Sequence, residues 1–144
     1  MNLKRLIANC LAGAAAALGL ASAHAQGALN STLNESVEMI PLKSGVRIET
    51  TVFKPDGAGP FPLVVISHPR YSGRPDEQPR YRPLPAVRYF LQRGYAVLAP
   101  MQQGVSRSGG WYAGMGCDLQ RNVRAQAEDV AGVLNHIASQ PWAD

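Results

Sequence analysis

Two short apolar runs, residues 61–67 (FPLVVIS) and 95–100 (YAVLAP), constrain the fold of this chain more than any other feature. Neither is long enough for a helix and neither alternates with polar residues, which is the pattern of a strand buried on both faces of a parallel sheet. Between them, residues 68–83 hold four prolines and the arginines 70, 74, 80 and 82 among polar residues. No ladder or helix tolerates that spacing, so a long surface loop is expected. Pro83 suits the first position of a short helix with Leu84, Val87 and Leu91 on one face, closing at Gly94. Strand, helix, strand in this order predicts a parallel pair joined by a right-handed crossover.

Upstream, residues 37–42 form a short extended candidate, and residues 46–53 alternate Val46, Ile48, Thr50 and Val52 with Arg47, Glu49, Thr51 and Phe53. That period of two predicts a strand with one buried face. Ser44-Gly45 supplies the turn between the two, and the dense turn formers of residues 54–60 end the second strand. Downstream, residues 101–117 are glycine-rich and irregular. Asp118 then caps a helix whose Leu119, Val123, Ala127, Val130, Leu134 and Ile137 recur three and four apart, and Pro141 ends it. The fold class is therefore α/β, a hairpin plus a parallel β-α-β-α unit. Such a sheet is incomplete and leaves an apolar edge open, through which self-association is one expected outcome.

Residues 1–25 read as a cleaved signal peptide. Lys4 and Arg5 precede an apolar run over residues 6–20, and Ala23-His24-Ala25 is the small-x-small pattern of a cleavage site. Export to the periplasm or beyond the cell is expected. Residues 26–34 (QGALNSTLN) lack periodicity and are expected to be a flexible leader, with the folded portion at 35–144. Cleavage removes Lys4 and Arg5 from the 14 basic residues, leaving 12 against 10 acidic ones, a net charge of +2 that is no nucleic-acid footprint. No segment after the signal is apolar enough to span a membrane. Cys117 is the sole cysteine left, and it is a buried hydrophobe, a free thiol, or half of a bridge to a segment outside this sequence.

Several segments then align with one family. Residues 61–67 followed by His68-Pro69-Arg70-Tyr71-Ser72-Gly73 resemble the third strand and oxyanion loop of α/β-hydrolases of the dienelactone hydrolase and X-Pro dipeptidyl-peptidase kind. Residues 93–100 (RGYAVLAP) resemble the fourth strand, residues 104–110 (GVSRSGG) the loop that follows it, and residues 136–144 the end of the helix before the nucleophile strand. The chain thus resembles the N-terminal portion of an α/β-hydrolase. The resemblance implies a serine hydrolase acting on a small ester, lactone or peptide, without a cofactor. It departs from the pattern at Pro69, where glycine is usual, and at Met101 and Gln102, where an Asp-x-Arg pair is common.

Acyl transfer builds negative charge on a carbonyl oxygen, and donors already aimed at that point stabilise the transition state by about 3 kcal/mol each. Pro69 has no N–H to give. The oxyanion-hole candidates are therefore Arg70 and Tyr71, through their amides or the Tyr71 hydroxyl. The tyrosine role is carried over from the Asn-Pro-Tyr pattern of X-Pro dipeptidyl-peptidase and cocaine-esterase relatives; packing as a plain loop aromatic is the equal alternative.

The nucleophile of this fold sits in G-x-S-x-G, with acid and histidine following. That motif is absent from the 144 residues; Gly104-Val105-Ser106-Arg107-Ser108 comes nearest but ends in serine and precedes no helix. No catalytic residue is therefore assigned, and the chain as given is expected to be inactive, a truncated or partial hydrolase. An exported binding module that has lost the catalytic half is the alternative. His136 precedes any serine of the family order and reads as a polar-face histidine of the last helix, and His68 reads as a loop-ordering residue. Glu128 and Asp129 are adjacent on a helix and face different ways, so they form no paired-carboxylate site. No metal-ligand pattern occurs. The arginines 70, 74, 80, 82, 88 and 93 form a basic cluster, offset by Asp76 and Glu77, most simply a solvated loop.

Overall fold

The computed structural model describes residues 30–69, 72–112, 114 and 117–144. The expected signal peptide, the start of the leader, and Arg70 and Tyr71 lie outside the described residues. Four strands form one mixed sheet in the order β1-β2-β4-β3. Strand β1 (Glu35–Pro41) pairs antiparallel with β2 (Arg47–Phe53), and β2 with β4 (Ala96–Pro100). Strand β3 (Leu63–Val65) lies parallel to β4, with Val64 opposite Val97. The two apolar runs are thus neighbouring parallel strands, as the crossover argument requires.

Local chemistry explains the connections. The β1–β2 turn closes through Leu42 N donating to Val46 O at 2.8 Å, and Gly45 takes φ +84°, which glycine reaches at no steric cost. Helix α1 (Leu84–Leu91) follows Pro83 and buries Val87 with Phe53 and Val97 on one face of the sheet. Helix α2 (Leu119–Ile137) covers the other face, packing Val133 and Ile137 on Ile40, Ile48, Val52 and Leu98. Among the described residues no helix is long and apolar enough to cross a membrane.

Four expectations need correction. Strand β2 is buried on both faces, not one: Ile48 and Val52 face α2, while Glu49 and Thr51 on the other side are covered by loops that fold back over them. The run at 61–67 yields only a three-residue strand, half-buried, because β3 is the last strand of the sheet and among the described residues nothing pairs along most of its outer side. In α2 the buried positions are Asn122, Asp129, Val133 and Ile137, whereas Leu119 and Val123 are 73% and 56% exposed. The apolar stripe therefore leaves the core in the first two turns, because the helix is longer than the sheet it covers. Residues 68–83 are not wholly a surface loop: Arg80 is buried, and with Arg82 it straps the loop across the hairpin.

That strap is an ion cluster. Glu35, at the start of β1, has a fully buried side chain. It accepts from Arg80 Nη1 at 2.6 Å, from Arg82 Nε at 2.7 Å and Nη2 at 2.6 Å, and from the Asn30 amide at 2.7 Å. Asn30 in turn caps the 3₁₀ turn Ser31–Leu33 at the end of the expected leader.

Candidate active-site loops

In a parallel sheet the loops at the carboxyl ends of the strands are held rigidly and carry chemistry. Here those loops are residues 66–82 after β3 and 101–118 after β4. One histidine ties them together. Gln102 N donates to His68 Nε2 at 3.2 Å, which makes that nitrogen the acceptor and leaves the proton on Nδ1 to donate to Pro69 O at 2.9 Å. His68 therefore orders the loop, as the sequence predicts, and both ring nitrogens are engaged. Ile66 N donating to Leu98 O at 2.8 Å extends the strand pairing to the root of the same loop. The next residues after Pro69 are Arg70 and Tyr71, the oxyanion candidates; they lie outside the described residues, and the described atoms fix only the stem that delivers them.

The loop after β4 is fastened to β2. Glu49, fully buried, accepts from the Arg107 amide at 3.1 Å, from its Nε at 2.9 Å, and pairs with its Nη2 at 2.8 Å. Ser108 Oγ accepts from Glu49 N at 3.0 Å, and Gly109 N donates to Arg47 O at 2.9 Å. Ser108 is thus buried in a structural bond. Ser106, at φ +55°, sits in a turn with no helix after it, so the Gly104-Val105-Ser106-Arg107-Ser108 stretch is a loop and not a nucleophile elbow.

His136 is placed apart from these loops. It lies in the last turn of α2, 18 positions beyond Asp118, about 27 Å along the axis. Asp118 caps the near end, accepting from Arg121 N at 2.9 Å. Asp129 is buried and accepts from Gln103 N at 3.1 Å and Gln103 Nε2 at 2.6 Å, whereas Glu128 is exposed, so the two carboxylates do diverge. Between the β4 loop and the first half of α2 lies a cleft of about 350 Å³ that includes Trp111, Tyr112 and Cys117. Cys117 is an exposed free thiol.

Electrostatics favour the strap over an open basic patch. Burial alone would raise the Glu35 carboxyl, but hydrogen bonds from Arg82, Arg80 and the Asn30 amide, with the Arg80 charge, outweigh it and hold the group below its ordinary 4.5. The Glu35 hydrogen bond likewise raises Arg82. Arg74 is paired with Asp76 at 2.6 Å and Glu77 at 3.1 Å. Of the expected cluster, then, three members are neutralised. Sequence reasoning missed Glu35, Glu49 and Arg107, because their partners are 45 to 58 residues away and no local period marks them.

Comparison with known proteins agrees with this geometry. The family model of X-Pro dipeptidyl-peptidase (S15 family) matches residues 44–144. No curated protein matches in sequence. Among solved structures, an esterase of Pyrococcus furiosus superposes with TM-score 0.54 at 16% identity, over 81% of this chain and 42% of its own. DcsB in complex with its substrate analogue gives 0.53 at 22%, over 76% and 34%. A CocE/NonD family hydrolase of Staphylococcus aureus gives 0.53 at 19%, over 76% and 21%. The chain therefore spans less than half the length of each. With a family match covering more than two thirds of its residues, the chain belongs to the X-Pro dipeptidyl-peptidase (S15) family, on an α/β-hydrolase fold.

Proposed function

We propose that residues 35–144 are the oxyanion-loop portion of a serine hydrolase that cleaves a small ester, lactone or peptide after export to the periplasm or beyond. The single observation that carries this reading is the His68 bridge: a loop at the carboxyl end of a parallel strand, pinned through Nε2 to Gln102 of the neighbouring loop and through Nδ1 to its own Pro69 carbonyl, just before Arg70 and Tyr71. A donor delivered from such a stem is preorganised, which is what oxyanion stabilisation requires. Relatives in fold described as an esterase and a hydrolase support the reaction class.

The 144 residues by themselves are inactive in this reading, since they hold no G-x-S-x-G and Ser108 is bound to β2. The purified chain is expected to leave p-nitrophenyl acetate unhydrolysed above the buffer rate. Turnover that disappears on Ser106→Ala or Ser108→Ala would overturn this. The hydrolase reading is tested on the gene itself: translation of the DNA past codon 144 should reveal G-x-S-x-G in frame, and in that longer product Tyr71→Phe should lower kcat more than it raises KM. An open reading frame that closes at codon 144 would remove the catalytic reading.

A further inference from the structure

Stability alone does not account for Asp129. Its carboxylate is buried on α2, and among the described residues no cation stands within ion-pair distance of it. Both of its oxygens accept from a single residue of the loop after β4: Oδ2 from Gln103 N at 3.1 Å and Oδ1 from Gln103 Nε2 at 2.6 Å. A charge taken out of water and met only by neutral donors costs more than an apolar side chain in the same place. What the carboxylate does supply is a grip on both the backbone and the side chain of one residue, which fixes how that residue is turned.

Gln103 follows Gln102, whose amide donates to His68 Nε2 at 3.2 Å. On the other side, Met101 N donates to Glu49 O at 2.8 Å. Three successive amides are thus held by three different elements: Met101 by β2, Gln102 by the loop after β3, and Gln103 by α2. Only two residues, each with two soft dihedrals, separate the Met101 and Gln103 amides. With both of those anchored, the peptide between them, which carries the Gln102 N–H, keeps its direction. Without Asp129 one anchor is gone and that N–H is free to turn away. The effect reaches the imidazole, because a donor facing Nε2 is what holds the His68 proton on Nδ1, where it is donated to Pro69 O at 2.9 Å.

We propose that Asp129 is a positioning residue: through Gln103 it aims the Gln102 amide at His68, and so fixes the imidazole tautomer and the His68-Pro69 stem that precedes Arg70 and Tyr71. Assigning that stem to an oxyanion loop rests on the function proposed above; the chain of contacts from α2 to the imidazole stands without it.

The test is the ¹⁵N NMR spectrum of the His68 ring, assigned through His68→Gln, in the natural gene product containing residues 30–144 at mildly alkaline pH. The natural chain should show the Nδ1–H tautomer alone, with a coupling across the hydrogen bond between Nε2 and Gln102 N. In Asp129→Leu, which removes both acceptors, the Nδ1–H fraction should fall to about half or less and the coupling should vanish. Asp129→Asn should restore both, since the Gln103 amide can turn over, give its oxygen to the new NH₂ group and leave the asparagine oxygen for Gln103 N. Val133→Ala, a cavity one turn along the same helix, should lower the melting temperature and leave the tautomer untouched, which separates positioning from general loss of stability. If Asp129→Leu does not melt cooperatively, Gln103→Ala decides in its place, with a second tautomer expected from loss of the 2.6 Å bond. An unchanged tautomer in the deciding variant, a loss in Asp129→Asn as complete as in Asp129→Leu, or an equal loss in Val133→Ala would overturn the assignment. A reading frame that closes at codon 144 would remove the catalytic reading and leave this result to decide the positioning by itself.

Discussion

Replacing Glu35 by glutamine should be among the most damaging single changes in this domain. The side chain is fully buried and receives four hydrogen bonds, three of them from guanidinium groups. Glutamine keeps the shape but loses the charge, and its NH₂ group points a donor at a donor. Arg80, whose side chain is 2% exposed, is then left charged in the interior, while Arg82, at 23%, swings toward water. Breaking a buried pair from one side costs about 3–5 kcal/mol, and the partial escape of Arg82 places Glu35→Gln near 3. With a urea m-value of about 1.5 kcal/mol per molar, the denaturation midpoint followed by circular dichroism should fall by about 2 M at unchanged slope. A loss below about 1 kcal/mol would refute the reasoning, for it would give the cluster the value of a solvated surface pair. The double variant Glu35→Leu with Arg80→Met should recover most of the loss, since it removes both buried charges together.

Three further outcomes follow from the same structure. The Glu35 carboxyl is held below its ordinary 4.5 when folded, so its contribution is complete above that value and is lost as pH falls through it toward the folded pKa. A melting series from pH 7 to pH 3 should therefore drop more steeply in the natural chain than in Glu35→Gln, and parallel curves would contradict the linkage. Gly104→Ala should cost about 2 kcal/mol or more in urea titrations, because φ is +69° and the added carbon would meet Tyr112 N at 2.5 Å. Asp118→Ala should cost about 1 kcal/mol through the lost cap bond to Arg121 N, visible as a lower melting temperature, and an unchanged one would mean the first turn of α2 is not cooperative with the core.

Features fixed by near neighbours were legible in the sequence. Ser44-Gly45 makes its turn, residues 96–100 form a strand, and Asp118 caps α2. Features fixed by distant partners were not. Glu49 and Thr51 look like the wet side of an amphipathic strand, and they are dry only because Arg107 and Arg80 arrive from later loops to satisfy them. Leu119 and Val123 fit the helical period of a core stripe, yet whether a period is buried depends on how far the sheet extends beneath it. The oxyanion pair was reached by resemblance and by the missing N–H of Pro69, and the structure describes only the stem beneath it.

The outer side of β3 is not bare along its whole length. Phe61 N donates to Trp142 O at 2.8 Å and Asp144 N to Phe61 O at 3.0 Å, a parallel bridge of Phe61 with Ala143 just below the strand. Those two bonds act as a clamp on alignment. A polypeptide zipped upward from that clamp alongside Leu63–Val65 would have its offset chosen before the first new rung formed, and with it which side chains turn toward α2 and which toward α1. The edge therefore discriminates among intruders: a segment arriving without the clamp must find its own alignment, while one growing from Ala143 starts already in step.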